Sequence, residues 1–176
     1  LTIRNMLLNP TRIGFMNVLE KINIQINISN QHYIHGELCG DVEFISSPIN
    51  SFEVPAYIIP SIIDEIPILA VLAAFGDGKT VFNRVEELKF KESNRLQAII
   101  DNLKNFGINA YEEDNSLIVE GGHPTMATVQ SFDDHRIAMA FIVLSIAAFG
   151  KYEIDNKECI NISLPGFFNT IEVMQS

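Results

Sequence analysis

The sequence predicts an α/β fold turned inside out, with helices at the centre and sheets wrapped around them. Three observations predict it. Two segments, 64–75 and 134–149, have helical character yet are apolar nearly all round, the pattern of helices buried on every side. Short strand-like runs bounded by turn residues flank both segments. The pieces also recur: Thr2-Ile3-Arg4-Asn5 matches Thr80-Val81-Phe82-Asn83, Leu19-Glu20-Lys21-Ile22-Asn23-Ile24 matches Leu103-Lys104-Asn105-Phe106-Gly107-Ile108, and Ala73-Ala74-Phe75-Gly76 matches Ala147-Ala148-Phe149-Gly150. The period is roughly 75–85 residues, too long for a solenoid. Each unit reads as strand, amphipathic helix, strand, further strand, buried helix.

In chain order, a strand opens the sequence, and Asn9-Pro10 reads as an N-cap with Pro at the first helical position, leading into a helix over 13–22. Strands follow at 24–28 and 42–45, with a polar, loop-like stretch between them. That stretch holds His32 and His35 in His-x-x-His spacing without a clear third ligand, so no metal site is expected. Asp64-Glu65-Ile66-Pro67 opens the first buried helix, with Asp64 at the cap position. Gly76-Asp77-Gly78-Lys79-Thr80 has the look of a phosphate loop, but it follows a helix and precedes a strand, the reverse of the required order, and reads as a turn. Leu96, Ile99, Ile100, Leu103 and Phe106 form one apolar stripe of a surface helix, stopped by Gly107. Strands at 109–112 and 117–120 meet in a hairpin at Asn115-Ser116, and Gly121-Gly122-His123-Pro124 is a turn. A strand at 152–154 follows the second buried helix, and a last helix runs from near Pro165 to the C-terminus.

The bulk composition narrows the function. A chain of 176 residues fits one domain or a large piece of one. With 47% hydrophobic and 19% charged residues it has enough apolar side chain for a packed core and is not disordered. A net charge of −10 argues against a nucleic-acid partner. The longest apolar run, 137–149, falls short of the about 20 residues a bilayer crossing needs, so no membrane role is expected. Cys39 and Cys159 form no CxxC pair and read as reduced thiols of a cytoplasmic protein, although their spacing does not rule out a disulfide. The chain opens at Leu1, directly in a strand pattern, which suggests a fragment or a trimmed product.

Cations beside carboxylates at helix starts are the chemical signal. A helix start already favours anions through its free N–H groups and partial positive charge. Lys91-Glu92-Ser93-Asn94-Arg95 opens one helical pattern and Asp133-Asp134-His135-Arg136 another. One turn of helix brings Arg95 beside Glu92 and Lys91, so two cations can clamp an anion while Glu92 handles a proton. Taken alone, that pentapeptide reads more simply as an ordinary solvated first turn. Asp134 is explained as a helix cap, but an Arg set against a long apolar helix needs a partner, and a planar carboxylate or phosphate suits it. Asp64 taken alone is a cap. If the buried helices pack side by side, their starts converge at one end and bring Asp64, Glu92 and Asp134 together.

The stretches Leu8-Asn9-Pro10-Thr11-Arg12, Ile63-Asp64-Glu65-Ile66-Pro67, the decapeptide from Glu86 to Arg95, Asp134-His135-Arg136-Ile137-Ala138-Met139-Ala140 and Pro165-Gly166-Phe167-Phe168 together resemble the 5-enolpyruvylshikimate-3-phosphate synthase family, in that family's order and across nearly the whole chain. The resemblance implies an enolpyruvyl transferase-like, inside-out α/β barrel of βαβαββ repeats. It implies that residues 1–176 form most of the C-terminal domain of a two-domain enzyme, without the N-terminal domain. The activity it implies joins phosphoenolpyruvate to the 5-hydroxyl of shikimate 3-phosphate and releases phosphate, with no metal or organic cofactor. Asp64 and Glu92 are then the catalytic carboxylates, Asp64 as the base near the sugar hydroxyl. Lys91 contacts shikimate 3-phosphate, Arg95 and Arg136 hold phosphoenolpyruvate, and Asp64, Asp134 and His135 line the substrate site. The complete enzyme is expected to be a monomer in the cytoplasm, and the isolated chain to lack turnover, because groups from the missing domain complete the site. Ile162 departs from members that carry Lys there. A UDP-N-acetylglucosamine enolpyruvyl transferase and a noncatalytic remnant domain are the alternatives.

Overall fold

The structure is a computed structural model, and it describes residues 1–175. The end of the last predicted helix, at Ser176, lies outside the described residues. The architecture is α/β, and its strands repeat the sequence repeat. β1 (Thr2–Leu7), β2 (Ile26–Ile34) and β3 (Glu37–Phe44) form an antiparallel sheet in the order β1-β3-β2. β5 (Lys79–Phe82), β6 (Asn109–Glu113) and β7 (Ser116–Glu120) repeat that order as β5-β7-β6, with β4 (Glu53–Val54) added in parallel on β5. β8 (Thr128–Val129) pairs in parallel with β9 (Glu153–Ile154) in the same way. The short strand before each buried helix therefore pairs with the strand that follows that helix.

Between the sheets lie α3 (Ile66–Ala74) and α5 (His135–Phe149), packed on each other. Amphipathic α4 (Arg95–Asn105) lies against both, and α1 (Gly14–Lys21) holds the matching place in the first unit. The core is built from these helices and the inner face of the second sheet. Phe106 stacks on Phe141 with centroids 6.2 Å apart, and Phe52 meets Phe82 edge-on at 5.7 Å. Such pairs add about 0.5–1.5 kcal/mol beyond their area. The first sheet is covered far less: a small cluster of Leu8, Met16 and Val42 sits beneath it, and β2 is exposed along nearly its whole length.

The two central helices are not buried on every side. Ile68 and Leu72 of α3, Phe75 just after it, Val143 and Ala147 of α5, and Phe15 and Leu19 of α1 line an open apolar groove of about 730 Å³. The composition of these helices is that of full burial, and the groove is the stripe along which this chain supplies no cover.

Element starts also differ from expectation. Asn9 caps a turn instead of a helix: its Oδ1 accepts the Thr11 N–H at 3.0 Å and the Thr11 hydroxyl at 2.8 Å, and α1 begins only at Gly14. The stretch around His32 is strand, with only His35 in the hairpin turn at φ 51°. The β6–β7 hairpin turns on Asp114 (φ 50°) and Asn115 (φ 61°), the left-handed pair of a type I′ turn, so Ser116 already belongs to β7. The short helices α2 (Ile59–Ile62) and α6 (Glu158–Ser163) and a 3-10 turn (Glu86–Phe90) carry too little periodicity to be read, and α7 (Phe167–Gln175) starts two residues after Pro165. Among the described residues no helix is long and apolar enough to cross a membrane.

Gly121 locks the second unit together. It leaves β7 directly over the turn after α3, and a Cβ there would stand 2.0 Å from the Gly76 carbonyl oxygen and 2.7 Å from that of Ala73. Both obstacles are backbone. Gly121→Ala is therefore expected to destabilise the fold by about 1–3 kcal/mol, read as a lower urea midpoint. An unchanged midpoint would contradict this packing.

Candidate functional site

Three helix starts meet at one end of the molecule, and Arg95 is the point where they meet. Its position follows from local chemistry. Asn94 is the N-cap of α4, its Oδ1 accepting the Gln97 N–H at 3.2 Å, so Arg95 is the first helical residue and Lys91, Glu92 and Ser93 lie in the turn before it. The helix thus starts four residues later than the cluster of charges suggests, because the Asn side chain offers the better cap.

The Arg95 guanidinium is fully enclosed and touches three carboxylates. Its Nε donates to Asp134 Oδ2 at 2.8 Å, its Nη1 to Asp64 Oδ1 at 3.0 Å, and its Nη2 to Glu92 Oε2. Asp134 is the N-cap of α5, with Oδ1 accepting the Arg136 N–H at 2.9 Å and Oδ2 also accepting the Ser93 hydroxyl at 3.1 Å. Asp64 precedes the start of α3. It is not the cap, which is Glu65 without a side-chain bond, and this leaves the Asp64 carboxylate free to face the cations. Arg136 reaches it from α5, with Nη2 to Asp64 Oδ2 at 3.2 Å and Nη1 donating to the Asp64 carbonyl at 3.2 Å.

The turn before α5 is held in an uncommon shape. Phe132 (φ 52°) and Asp133 (φ 53°) are consecutive left-handed residues, a conformation that persists only where its surroundings impose it. Asp155 Oδ1 accepts the Ser131 N–H at 2.9 Å, and the Asn156 amide donates to Asp133 Oδ1 at 2.7 Å. These contacts hold the turn that sets Asp134 against Ser93 and Arg95 at the start of α4 and Arg136 against Asp64.

The electrostatics follow from the enclosure. Burial works against charge on both Arg95 and Asp134, yet each holds the other's charged form. Together with the Arg136 N–H and the Ser93 hydroxyl, Arg95 keeps the Asp134 carboxyl below its usual value. Glu65, at the edge of the same mouth, is raised by burial and by Asp64, against the pull of Arg136 and Arg12. Because Asp134 is more acidic folded than unfolded, its contribution to stability is complete above the ordinary Asp value of about 3.9 and is lost as pH falls through the lower folded value. Urea midpoints of wild type and Asp134→Asn are expected to converge as pH drops from about 6 to 3; a constant gap would contradict it.

Of the sequence-predicted residues, Asp64, Glu92, Arg95, Asp134 and Arg136 are joined in one network. His135 is half-buried at the first position of α5. Lys91 pairs outside the network, with Nζ 2.7 Å from Glu87 Oε1. Two of these residues are enclosed. Asp134 is wholly buried with both oxygens engaged, and it fixes Arg95 and the helix start. Arg95 is equally buried, and its donors face carboxylates. Ser93, Glu65 and Glu87 were not singled out by sequence, although each stands inside a motif that was. The open space at this end is modest: a cavity of about 170 Å³ beside Arg136 and Met139, and a polar one of about 150 Å³ lined by Thr11, Arg12, Ser61 and Asp64. The much larger groove between α3 and α5 is lined by apolar side chains apart from Glu65.

The sequence of this site has counterparts. A family model described as EPSP synthase (3-phosphoshikimate 1-carboxyvinyltransferase) matches residues 1–171. The chain belongs to the EPSP synthase family. A 3-phosphoshikimate 1-carboxyvinyltransferase of Thermoanaerobacter sp. (strain X514) is 41% identical over 98% of this chain, and one of Caldicellulosiruptor saccharolyticus is 43% identical over 96%. The chain spans 41% and 40% of the length of those EPSP synthase family relatives. The EPSP synthase of Acinetobacter baumannii superposes with a TM-score of 0.91 at 29% identity, over 98% of this chain and 41% of that one. The enolpyruvyl transferase NikO of Streptomyces tendae, 18% identical, shares the fold at a TM-score of 0.65 over 92% of this chain and 34% of its own. The fold is thus the enolpyruvyl transferase-like inside-out α/β arrangement, with helices within and sheets outside.

Proposed function

We infer that this chain is the greater part of the C-terminal domain of an enzyme that transfers the enolpyruvyl group of phosphoenolpyruvate to the 5-hydroxyl of shikimate 3-phosphate and releases phosphate. The reaction belongs to the shikimate pathway of aromatic amino acid biosynthesis, in the cytoplasm. The observation that carries the reading is the convergence of Asp64, Glu92 and Arg136 around Arg95, from three helix starts, inside the ordered motifs of the EPSP synthase family.

The chemistry suits two carboxylates. In the addition step the sugar hydroxyl bonds to the central carbon of phosphoenolpyruvate, its proton leaves to a base, and a proton is delivered to the terminal enol carbon. In the elimination step phosphate departs and that carbon gives a proton back. Asp64 serves as the base near the hydroxyl and Glu92 as the second proton-transfer group. Arg136, one-third exposed at the mouth, is the donor anchor, since a guanidinium fork matches carboxylate and phosphate. Lys91 and His135 serve the sugar phosphate and the wall of the site.

The remainder of the enzyme is an N-terminal domain together with a first repeat that covers the apolar groove. Two features support this. Each unit's first strand, β5 or β9, takes a parallel partner from the unit before it, and β1 has no such partner among the described residues. The groove beside α3 and α5 is also lined by apolar side chains of α1, α3 and α5, a chemistry that suits a further apolar helix. The test is phosphate release from phosphoenolpyruvate. The complete polypeptide, with a full-length relative's N-terminal portion, is expected to release it only with shikimate 3-phosphate, and the isolated 176 residues to release none. Turnover by the isolated chain, or with UDP-N-acetylglucosamine instead, would overturn the reading.

A further inference from the structure

We propose that Asp155 and Asn156 are positioning residues of the site: from just beyond β9 they hold Phe132 and Asp133 in the left-handed conformation, and through that turn they set where Arg136 presents its guanidinium. The inference rests on the proposed reaction, and it assigns to that reaction two side chains that lie outside the Arg95 network. Three observations carry it.

The first is the way the β8–β9 pair ends. The strands pair in parallel as far as Val129 and Ile154, and the Asp155 N–H donates to the Val129 carbonyl at 3.1 Å. In a continuing parallel ladder the Ser131 N–H would go to the Asp155 carbonyl. It goes instead to the Asp155 carboxylate, at 2.9 Å. A side chain thus takes the place of a main-chain rung, and the backbone is released to turn at once towards α5. Ser131 is buried, so its N–H depends on that acceptor.

The second is the shape of the turn. Phe132 and Asp133 are both left-handed and neither is glycine. Phe132 is 43% exposed, so packing of its ring does not impose the shape. Hydrogen bonds do. The Asn156 amide donates to Asp133 Oδ1 at 2.7 Å, and Asn156 Oδ1 is itself held by the Glu158 N–H at 2.9 Å. The Asp155 carboxylate also accepts the Asn156 N–H at 2.6 Å, which joins the two residues into one clamp. Ser131 closes the turn from the other side, its hydroxyl accepting the Asp133 N–H at 3.3 Å and its carbonyl the Asp134 N–H at 3.0 Å.

The third is a comparison within the molecule. Asn83 occupies the same place after β5, its N–H donating to the Val54 carbonyl at 3.0 Å. Its side-chain amide donates to that same carbonyl and to Glu53, and accepts nothing from the chain ahead of α3 among the described contacts. No left-handed residue lies between β4 and α3. The acceptor and the left-handed turn occur together, at the helix that carries Arg136.

The consequence for the reaction is geometric. Arg136 stands two residues past Asp134, so a change in the turn moves the first turn of α5 and the guanidinium with it. A misplacement of about 1 Å can cost on the order of a hundred-fold in rate. Lys91 comes from the turn ahead of α4, to which Asp155 and Asn156 make no hydrogen bond. The effect therefore falls on the donor and spares the sugar phosphate.

The experiment measures kcat and the KM of each substrate in the complete polypeptide with Asp155→Ala, Asp155→Asn and Asn156→Ala. Asp155→Ala is expected to raise the KM for phosphoenolpyruvate about ten-fold, with the KM for shikimate 3-phosphate within about two-fold of wild type. Asp155→Asn keeps an oxygen for the Ser131 N–H and is expected to stay within about two-fold of wild type for both. Asn156→Ala leaves the buried Ser131 N–H satisfied, so it tests the clamp even where Asp155→Ala does not fold; its KM for phosphoenolpyruvate is expected to rise about three-fold. An unchanged KM for phosphoenolpyruvate in Asn156→Ala, equal rises for both substrates, a fall in kcat alone, or an Asp155→Asn as impaired as Asp155→Ala each overturns the proposal. A purely structural role gives the third of these results, because lost folded protein lowers kcat and leaves both KM values in place. Failure of the proposed reaction itself looks different: the wild type then releases no phosphate with shikimate 3-phosphate present.

Discussion

Arg95→Met is expected to lower the stability of the chain by about 3–5 kcal/mol, the largest loss from any single substitution at this site. The reason is Asp134. Its carboxylate is wholly buried at the start of α5, and Arg95 is the only cation paired with it among the described residues. Without the guanidinium, the charge stays enclosed with a hydroxyl and one backbone N–H for company. Breaking a buried pair from one side is costly, whereas neutralising both sides is not. Adding Asp134→Asn to Arg95→Met is therefore expected to recover a large part of the loss, because Asn remains a good N-cap and carries no charge. Urea unfolding of the wild type, the two single variants and the double variant closes the cycle. A single-variant loss under about 1 kcal/mol, or a double variant as unstable as the sum of its parts, would contradict the buried-hub reading.

The second large effect is on rate and leaves stability nearly untouched. In the complete polypeptide, Asp64→Asn and Glu92→Gln are each expected to reduce kcat by about 10²–10⁴-fold, the usual contribution of a positioned acid or base. Their effect on unfolding is expected to stay within about 1 kcal/mol, since Asp134 still neutralises the buried Arg95 guanidinium and Asp64 and Glu92 keep 32% and 55% of their side chains in solvent. The contrast with Asp134 is the informative part. All three acids touch the same guanidinium, yet the buried one governs folding and the two accessible ones govern chemistry. Equal losses of kcat with a large loss of stability would place Asp64 and Glu92 in the same structural role as Asp134.

The repeat, the inward helices and the converging charges are legible in the sequence because each rests on a local rule. All-round apolarity marks 64–75 and 134–149, and carboxylates beside arginines mark the helix starts. What sequence does not carry is which of those charges ends up inside. Arg95 and Arg136 look alike as first-turn arginines, but α4 begins at Arg95 and turns it under the mouth, whereas Arg136 keeps a third of its side chain in solvent. That difference depends on the Asn94 cap, which selects the helix start, and on Phe132 and Asp133, whose left-handed backbone no propensity would suggest. The apolar groove is likewise invisible to periodicity: the composition of α3 and α5 records complete burial, and only the fold reveals the side on which this chain leaves them open. The short elements α2, α6, β4 and β8 escape because two to six residues cannot display a period.

The most direct measurement is a crystal structure of the complete polypeptide with shikimate 3-phosphate and phosphoenolpyruvate bound. The account requires the phosphoenolpyruvate anion within hydrogen-bond distance of Arg136, the sugar 5-hydroxyl within reach of Asp64, and Asp134 still closed against Arg95 with no ligand contact. Substrates seated elsewhere, with Asp64, Glu92 and Arg136 all beyond reach of either one, would contradict it.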